Sequence, residues 1–336
     1  MDTTHAGIAK HFLSLGPENK TALALILALF FTCAAGYSYY TPLWNPPDEE
    51  RHFAYAEHIA RFRALPSPLM SDGEMSVTQA IHPPLYYALA SLFYRDGEGV
   101  IQEMITFSDD PGFARVIPLP QAGEKGYAKK ERSAYLMRLF SIFLSSITVC
   151  SIYLLALVIF PGNTALASAA ALFAAMNPQF LHITASVSNE NLSSALSAVY
   201  LLLLLRYLHA PAGAWHHLLT GALLGCMLLT KLSTLFYAPL TAGIMVWIFR
   251  RAGKQLLTCL TLIFCTALLI AGWWHIRNWA LTGDPFLAKL LTATQPWAVR
   301  RSPLSLSDIR VIAAKTFTSF FGYFGDRNSE PTEWGP

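Results

Sequence analysis

A long central part of the chain carries almost no charge. Only six charged residues lie between Arg138 and Arg277, and across all 336 residues 13% are charged and 54% are hydrophobic. A typical soluble domain carries about a quarter charged residues. These proportions exclude a soluble globular enzyme, a disordered protein, a coiled coil and a nucleic-acid binder with a basic surface. They predict an all-α, polytopic membrane protein.

The apolar stretches predict seven membrane helices, because a helix needs about 20 mostly apolar residues to cross a bilayer. Their predicted bounds are Thr21–Tyr40, Ala134–Phe160, Ala165–Ala185, Leu192–Leu208, His217–Thr230, Leu235–Phe249 and Leu256–His275. A signal peptide is the alternative for the first stretch. We interpret that stretch as an uncleaved helix, since it is long and ends in the interfacial anchors Tyr39 and Tyr40.

The charged residues segregate between the two sides of this topology. Short segments on the N-terminal side hold six basic residues: Lys10, Lys20, Arg206, Arg250, Arg251 and Lys254. The positive-inside rule therefore predicts a cytoplasmic N-terminus. Residues 41–137, with 13 of the 21 acidic residues, then form a long external loop. Residues 278–336 form an external C-terminal segment, and residues 1–336 form one domain in the plasma (inner) membrane.

Two parts of the long loop have helical patterns. Tyr55, Ile59 and Phe62 fall on one face of a helix. The stretch Pro84–Tyr94 is too short to cross a bilayer, so we expect it to lie at the interface.

The unusual polar residues all fall on the outer side of this topology. They are Asp48, Glu49, Glu50, His82, Asn189, Glu190, Lys231, Arg277 and Asn278. Ionisable groups beside apolar membrane segments are costly, so each is a candidate for function. Each also has a simpler explanation as a helix cap, a snorkelling side chain, an interfacial anchor or a solvated loop residue. A shared function requires that these residues converge at one face.

Acids and bases gathered at one face suit group transfer from an anionic donor. A carboxylate can accept the proton of an acceptor hydroxyl. Lysine, arginine and histidine can neutralise phosphate oxygens as charge builds on a leaving group. A site at the outer face of the membrane in which the protein lies implies a lipid-borne phosphate donor.

Several short segments resemble the GT-C glycosyltransferases, in particular protein O-mannosyltransferases and aminoarabinose transferases. They are Pro47-Asp48-Glu49-Glu50-Arg51-His52, His82-Pro83-Pro84-Leu85, Arg138-Leu139-Phe140-Ser141, Asn177-Pro178-Gln179-Phe180, Ser186 to Asn191, Thr230-Lys231-Leu232-Ser233 and Trp274 to Asn278. Their order and spacing cover roughly residues 20 to 330. The resemblance implies a seven-helix module with a long external first loop.

The resemblance also implies the chemistry. It predicts an inverting transfer of a sugar from a polyprenyl-phosphate donor to a hydroxyl of a lipid, glycan or protein acceptor, in contact with membrane lipids. Asp48 is then the base and the primary catalytic residue. Glu190, the second catalytic candidate, stands where many relatives carry an aspartate in the second loop, and its implied role is to bind metal, acceptor or sugar. The implied phosphate ligands are Lys231, Arg277, His82 and Arg138, and further substrate-binding candidates are Glu49, Asn189 and Asn278. No metal ligands are assigned, and a divalent cofactor (Mg²⁺ or Mn²⁺) is left open.

Two features of the sequence depart from the family pattern, and two other functions are rivals of sugar transfer. Glutamate at 190 departs from the aspartate of many relatives, and relatives usually continue with further helices after the position of Pro336, which leads us to expect a fragment or truncated product. A transporter or lipid flippase is one rival, although such proteins usually place polar sites near the bilayer midplane within repeats. An inactive scaffold subunit of an envelope-glycan complex is the other.

Overall fold

The computed structural model describes residues 16–69, 78–95, 125–209, 213–294 and 303–322, and every regular element in these ranges is a helix. In chain order the first α-helices are α1 (Pro17–Tyr40), α2 (Glu49–Phe62), α3 (Leu85–Ala90), α4 (Lys125–Ile159), α5 (Thr164–Ala175) and α6 (Pro178–Thr184). They are followed by α7 (Asn189–His209), α8 (Ala214–Leu228), α9 (Tyr237–Phe249), α10 (Gly253–Thr282), α11 (Ala288–Thr294) and α12 (Leu306–Gly322). Short 3₁₀ helices cover Thr78–Ile81, Ser91–Phe93 and Leu232–Phe236.

Five helices in the described ranges are long and apolar enough to cross a membrane. They are α1, α4, α7, α10 and the stretch Leu232–Phe249 that ends with α9. Helices α5 and α6 meet at a bend of 62° and form a sixth span if counted together, whereas α8 is apolar but only 15 residues long. The predicted all-helical membrane architecture is confirmed, and the total of seven helices stays a prediction.

The prediction of one continuous third helix, Ala165–Ala185, is wrong. Proline inside a helix removes a backbone donor and clashes with the preceding turn. The chain breaks just before Pro178, at Met176 and Asn177, and the Asn177 Oδ1 accepts a hydrogen bond from the Phe180 N–H at 2.9 Å. That cap starts α6 in a new direction. Apolar composition alone does not show that Pro178 lacks a backbone N–H donor.

Two other predicted bounds are too tight. Helix α4 begins at Lys125 rather than Ala134, and α10 continues to Thr282 rather than His275. Both extensions are more polar than the rest of the helix, because a helix is defined by its backbone hydrogen bonds and not by apolar side chains. Helix α10 ends at Gly283, whose φ of 72° is the left-handed conformation that glycine adopts at no steric cost.

Small residues allow α8 to pack directly against α10. Gly221 and Gly225 are spaced by one helical turn, and a Cβ at Gly221 would lie 2.4 Å from the Ile263 carbonyl oxygen. A Cβ at Gly225 would lie 2.8 Å from the Ile270 side chain. Such small-residue spacing is a common device for close helix packing in membranes.

The described parts of the predicted external loop fold against the helix bundle. Helix α2 carries the predicted face, with Tyr55 fully buried but Phe62 largely exposed. Helix α3 and the 3₁₀ helix Ser91–Phe93 form where an interfacial helix was expected. Residues 70–77 and 96–124 lie outside the described ranges.

The predicted C-terminal segment contains the last residues of α10, then α11 and α12. The Phe320 carbonyl of α12 accepts a hydrogen bond from the Asn177 Nδ2 at 2.7 Å, which ties this helix to the bend between α5 and α6. That residues 1–336 form one domain stays a prediction.

Candidate active site

A fully buried ion pair organises the residues that follow α1. Arg138, on α4, donates from Nε to Glu49 Oε1 and from Nη2 to Glu49 Oε2, each at 2.7 Å. Both side chains have 0% exposure. The same two carboxylate oxygens accept from the backbone N–H of Trp44 at 2.9 Å and of Val187 at 3.0 Å. Glu49 therefore connects the first loop, α4 and the segment that precedes α7.

Arg138 uses all its donors inside this cluster. Its remaining hydrogen bonds go to the carbonyl oxygens of Ser38, Thr41 and Pro42 at 2.8 to 3.1 Å. A guanidinium has five N–H donors, and five hydrogen bonds from Arg138 are formed. The sequence-based assignment of Arg138 as a phosphate ligand and of Glu49 as a substrate-binding residue therefore needs correction, because neither side chain has a free polar atom or an exposed surface. Both are positioning residues.

Asp48 directly precedes Glu49 of the buried ion pair and has an uncommon backbone conformation. Its φ of 58° is left-handed, and the residue precedes the first turn of α2. Aspartate tolerates this conformation better than most residues, and such outliers cluster at functional sites. The carboxylate is 27% exposed, and its Oδ1 lies 3.1 Å from Arg51 Nη1. Asp48 is thus oriented by a buried neighbour while its own carboxylate stays accessible.

The segment before α7 is shaped by one asparagine side chain. The Asn191 Nδ2 donates to the carbonyl oxygens of Ile183, Ser186 and Ser188 at 3.1 to 3.3 Å. Its Oδ1 accepts from Ser145 Oγ of α4 at 2.9 Å. Asn191 is almost fully buried, so these contacts fix the path of the chain that presents Glu190.

Two further hydrogen bonds join the residues that follow α8 to the first residue of α7 and to the first residue of α3. The Asn189 Nδ2 donates to the Thr230 carbonyl at 3.2 Å, and the Leu85 N–H donates to the Leu229 carbonyl at 2.9 Å. The neighbouring residues form an ion pair between Lys231 Nζ and Glu190 Oε1, with side-chain exposures of 26% and 45%. Asn189 is buried and serves the frame, and the ion pair stands at its accessible side.

His82 lies among the charges of this group. Burial lowers its pKa to about 4, with a further lowering by the Lys231 ammonium and an opposing effect of the Glu190 and Asp48 carboxylates. Asp48, Glu190 and Lys231 are thus all electrostatic neighbours of His82. The imidazole is neutral at physiological pH, so His82 can contact a phosphate as a hydrogen-bond donor but not as a cation.

His52 and two tyrosines form the buried floor next to His82. The His52 ring stacks on that of His82 with centroids 6.2 Å apart, and its Nδ1 is hydrogen-bonded to the Tyr87 hydroxyl at 2.8 Å. Burial lowers the pKa of His52 to about 3, and burial also raises the pKa of Tyr87. Tyr55 stacks on Tyr87 at 4.0 Å.

Arg277 approaches the group from α10. Its guanidinium acts electrostatically on the Tyr55 hydroxyl and lies 5.1 Å from the Trp274 ring centroid. Its Nη2 donates to the Pro66 carbonyl at 2.9 Å, and its buried Nη1 has no hydrogen-bond partner. The adjacent Asn278 is buried, and its Oδ1 is likewise without a partner.

The structure therefore separates the predicted site residues into three groups. Asp48, His82, Glu190 and Lys231 come together, Arg277 and Asn278 lie at the edge of this group, and Glu49, Arg138 and Asn189 hold the frame. His52, Tyr87 and Asn191 are further parts of the site that the sequence patterns did not single out. His52 had a signal, because it stands one helical turn after Asp48 in the segment Pro47 to His52. In the described part of the chain, no three histidine, cysteine or carboxylate side chains gather as metal ligands.

Arg138, Glu190 and Lys231 all lie within one stretch that matches a protein-family model. Residues 130–275 match the family model for dolichyl-phosphate-mannose-protein mannosyltransferase. This match, over less than half of the chain, confirms the resemblance to GT-C transferases for these residues. Asp48, His82 and Arg277 stand outside the matched stretch. No curated protein and no solved structure matches the chain.

Proposed function

We propose that this protein transfers a sugar, with inversion, from a polyprenyl-phosphate donor to an acceptor hydroxyl at the outer face of the membrane. The observation that carries the proposal is geometric. The ion pair of Glu190 and Lys231, the backbone hydrogen bond from Leu85 to Leu229 and the stacking of His52 on His82 join segments that are far apart in sequence, and Asp48 lies one helical turn before His52. Asp48 lies at the start of α2, Glu190 in the first turn of α7 and Lys231 just after α8. An accessible carboxylate beside a cation is the minimum that such a transfer requires.

Asp48 is the proposed general base. The acceptor oxygen attacks the anomeric carbon, and the bond from that carbon to the phosphate oxygen breaks. The acceptor proton passes to Asp48. The buried ion pair of Glu49 and Arg138 fixes the backbone next to Asp48, so the carboxylate is held in place before substrate binds.

Lys231, Arg277 and His82 are the proposed partners of the phosphate. Lys231 and Arg277 supply positive charge, and Arg277 has one buried N–H group without a hydrogen-bond partner. The neutral His82 supplies a hydrogen bond. The phosphate leaves as a stable anion, and these groups stabilise the charge that it gains.

The distribution of charge favours this function over a transporter. Helices α5 and α6 do form a broken pair, which is a feature of many transporters. The charges, however, gather at helix ends: at the starts of α2 and α7, just after α8 and near the end of α10. The amide of Asn177 at the break is already used in bonds to Phe180 and Phe320.

The variant Asp48→Asn tests the proposal. We expect transfer to fall by about 10²- to 10⁴-fold, because the amide cannot accept the acceptor proton. Donor binding and expression should be largely retained. The matched control is Glu18→Gln, which removes an exposed carboxylate in the first turn of α1. Full activity in Asp48→Asn would remove Asp48 as the base, and lipid or solute translocation without sugar transfer would favour the transporter.

A further inference from the structure

The two chain segments that carry Lys231 and Glu190 are held together by a contact other than the ion pair of these residues. The residues just before each partner, Thr230 and Asn189, are joined by the buried hydrogen bond from Asn189 Nδ2 to the Thr230 carbonyl. The Glu190 and Lys231 side chains themselves are 45% and 26% exposed. The ion pair can therefore open and close while the two chain segments stay together.

The partner of Lys231 in this structure is a carboxylate and not a phosphate. The Lys231 ammonium has three N–H donors but only one positive charge, which cannot neutralise two neighbouring anions fully. A phosphate that approaches Lys231 is therefore repelled by the Glu190 carboxylate, and its contact with Lys231 is favoured when Glu190 moves away. Glu190 has the exposure to move away, and its position in the first turn of α7 keeps it near the N-terminal end of a helix dipole.

The charge of the phosphate changes during the proposed reaction. The donor is a phosphodiester with one negative charge. When the bond between the anomeric carbon and the phosphate oxygen breaks, that oxygen keeps the electron pair. The product is a phosphomonoester with up to two negative charges. The acceptor proton has moved to Asp48, so charge is conserved.

We propose that Glu190 is an internal competitor of the lipid phosphate for Lys231. Glu190 holds Lys231 in the empty site and yields it as negative charge grows on the phosphate. It recaptures Lys231 when the polyprenyl phosphate leaves. An interaction that strengthens only as charge develops lowers the barrier more than one already made with the bound donor. This role rests on the proposed function and assigns to Glu190 the control of phosphate affinity.

Binding of farnesyl phosphate to the full chain in lipid nanodiscs measures this competition. Farnesyl phosphate carries the monoester group on a short prenyl chain, and farnesol is the uncharged control. We expect Glu190→Gln to bind farnesyl phosphate about two- to fivefold more tightly, the range of a partly exposed ion pair. Lys231→Gln should weaken it about tenfold or more, the effect of losing one charged hydrogen bond. Binding of farnesol should not change in either variant.

Two comparisons separate direct competition from general repulsion. Asp48→Asn removes another nearby carboxylate, one that forms an ion pair with Arg51, so it should not tighten binding as Glu190→Gln does. The gain from Glu190→Gln should also vanish when Lys231→Gln is present. Glu190→Asp keeps the charge and should keep an affinity near that of the natural protein.

Each outcome bears on a distinct claim. Equal or weaker binding of farnesyl phosphate by Glu190→Gln overturns the competition, and so does a gain that persists without Lys231. Unchanged binding by Lys231→Gln removes Lys231 from the phosphate site, which contradicts the donor side of the proposed function as well. Tighter binding by Glu190→Gln together with full activity of Asp48→Asn supports the competition and refutes Asp48 as the base.

Discussion

Arg138 donates hydrogen bonds to both carboxylate oxygens of Glu49 at 2.7 Å, and neither side chain is exposed. The two residues are 89 positions apart in sequence. Their ion pair joins the end of α1, the loop before α2, α4 and the segment before α7. Asp48 and Glu190 each stand close in sequence to a backbone group held by this pair, so the pair links the two carboxylates of the candidate site.

Removing one partner of this pair should strongly destabilise the protein. We expect Glu49→Gln or Arg138→Met to lower the free energy of unfolding by about 3 to 5 kcal/mol, because each leaves an uncompensated buried charge. The double variant should lose less than the sum of the two, since it leaves no buried charge. Unfolding in mixed micelles of increasing denaturing detergent measures these free energies.

The control for this prediction is Arg61→Met. Arg61 is 46% exposed and lies 3.6 Å from Glu57, so its loss should cost about 1 kcal/mol or less. Equal losses for Arg61→Met and Arg138→Met would contradict the special role of the buried pair.

Mild acid should destabilise the protein through His52 and His82. Burial lowers their pKa values to about 3 and about 4, from 6.5. Between pH 6.5 and 4 the unfolded chain binds protons that the folded chain does not, so the free energy of unfolding falls as pH falls through this window. Well above pH 6.5 both rings are neutral in both states, and neither contributes a pH dependence there.

Thermal midpoints in detergent at pH 7.5, 6 and 4.5 measure this effect. The natural protein should lose thermal stability between pH 6 and 4.5, and His82→Gln should lose less because one titrating group is gone. A midpoint that is the same at all three values of pH, or a variant with the full acid sensitivity, would refute the assignment. These two histidines should cause no change in transfer rate between pH 6.5 and 8.

The close contact between α8 and α10 predicts a difference between two glycines. A Cβ at Gly221 would clash with the Ile263 carbonyl, whereas a Cβ at Gly272 of α10 would meet nothing within 4 Å. Gly221→Ala should cost about 1 to 3 kcal/mol of stability through overpacking. Gly272→Ala should be neutral or stabilising, since alanine favours helix more than glycine does. The same unfolding measurement decides, and equal effects would contradict the packing.

Asn191 should matter for both stability and activity. Asn191→Ala leaves carbonyl groups near Glu190 without their donor, at about 1 to 3 kcal/mol for each group that water does not satisfy. Sugar transfer should also fall, because Glu190 is no longer held in position. The control Asn163→Ala removes an exposed helix cap at the start of α5, which should cost about 1 kcal/mol without loss of transfer. Normal transfer by Asn191→Ala would show that Glu190 is positioned by other contacts.

Local sequence patterns predicted the helices well where they depend on a single stretch. Apolar length identified α1, α4, α7 and α10, since burial in lipid requires only that a continuous segment be long and apolar. The same criterion joined α5 to α6, because it measures side chains and the break results from a backbone donor that Pro178 lacks. It also located α8 without revealing that Gly221 and Gly225 set its distance from α10.

Within the site, the sequence identified the unusual residues but assigned some of them the wrong partners. A charge beside an apolar segment stands out at any position, which identified Glu49, Glu190 and Lys231, whereas Arg138 was assigned through the family resemblance. Glu49 and Arg138 resembled phosphate and substrate ligands for the same reason as Lys231 did. Two facts of the tertiary structure distinguish Glu49 and Arg138 from Lys231: both side chains are fully buried, and every N–H donor of Arg138 is used.

The sequence by itself determined that this protein is helical, lies in a membrane and carries a few costly charges near the ends of its helices. Each of these properties belongs to a single segment. The tertiary structure decided that Arg138 pairs with Glu49, that Lys231 pairs with Glu190, and that His82 stays neutral among them. Ion pairing and desolvation depend on distances between segments that are far apart in the chain, and no local pattern of residues contains those distances.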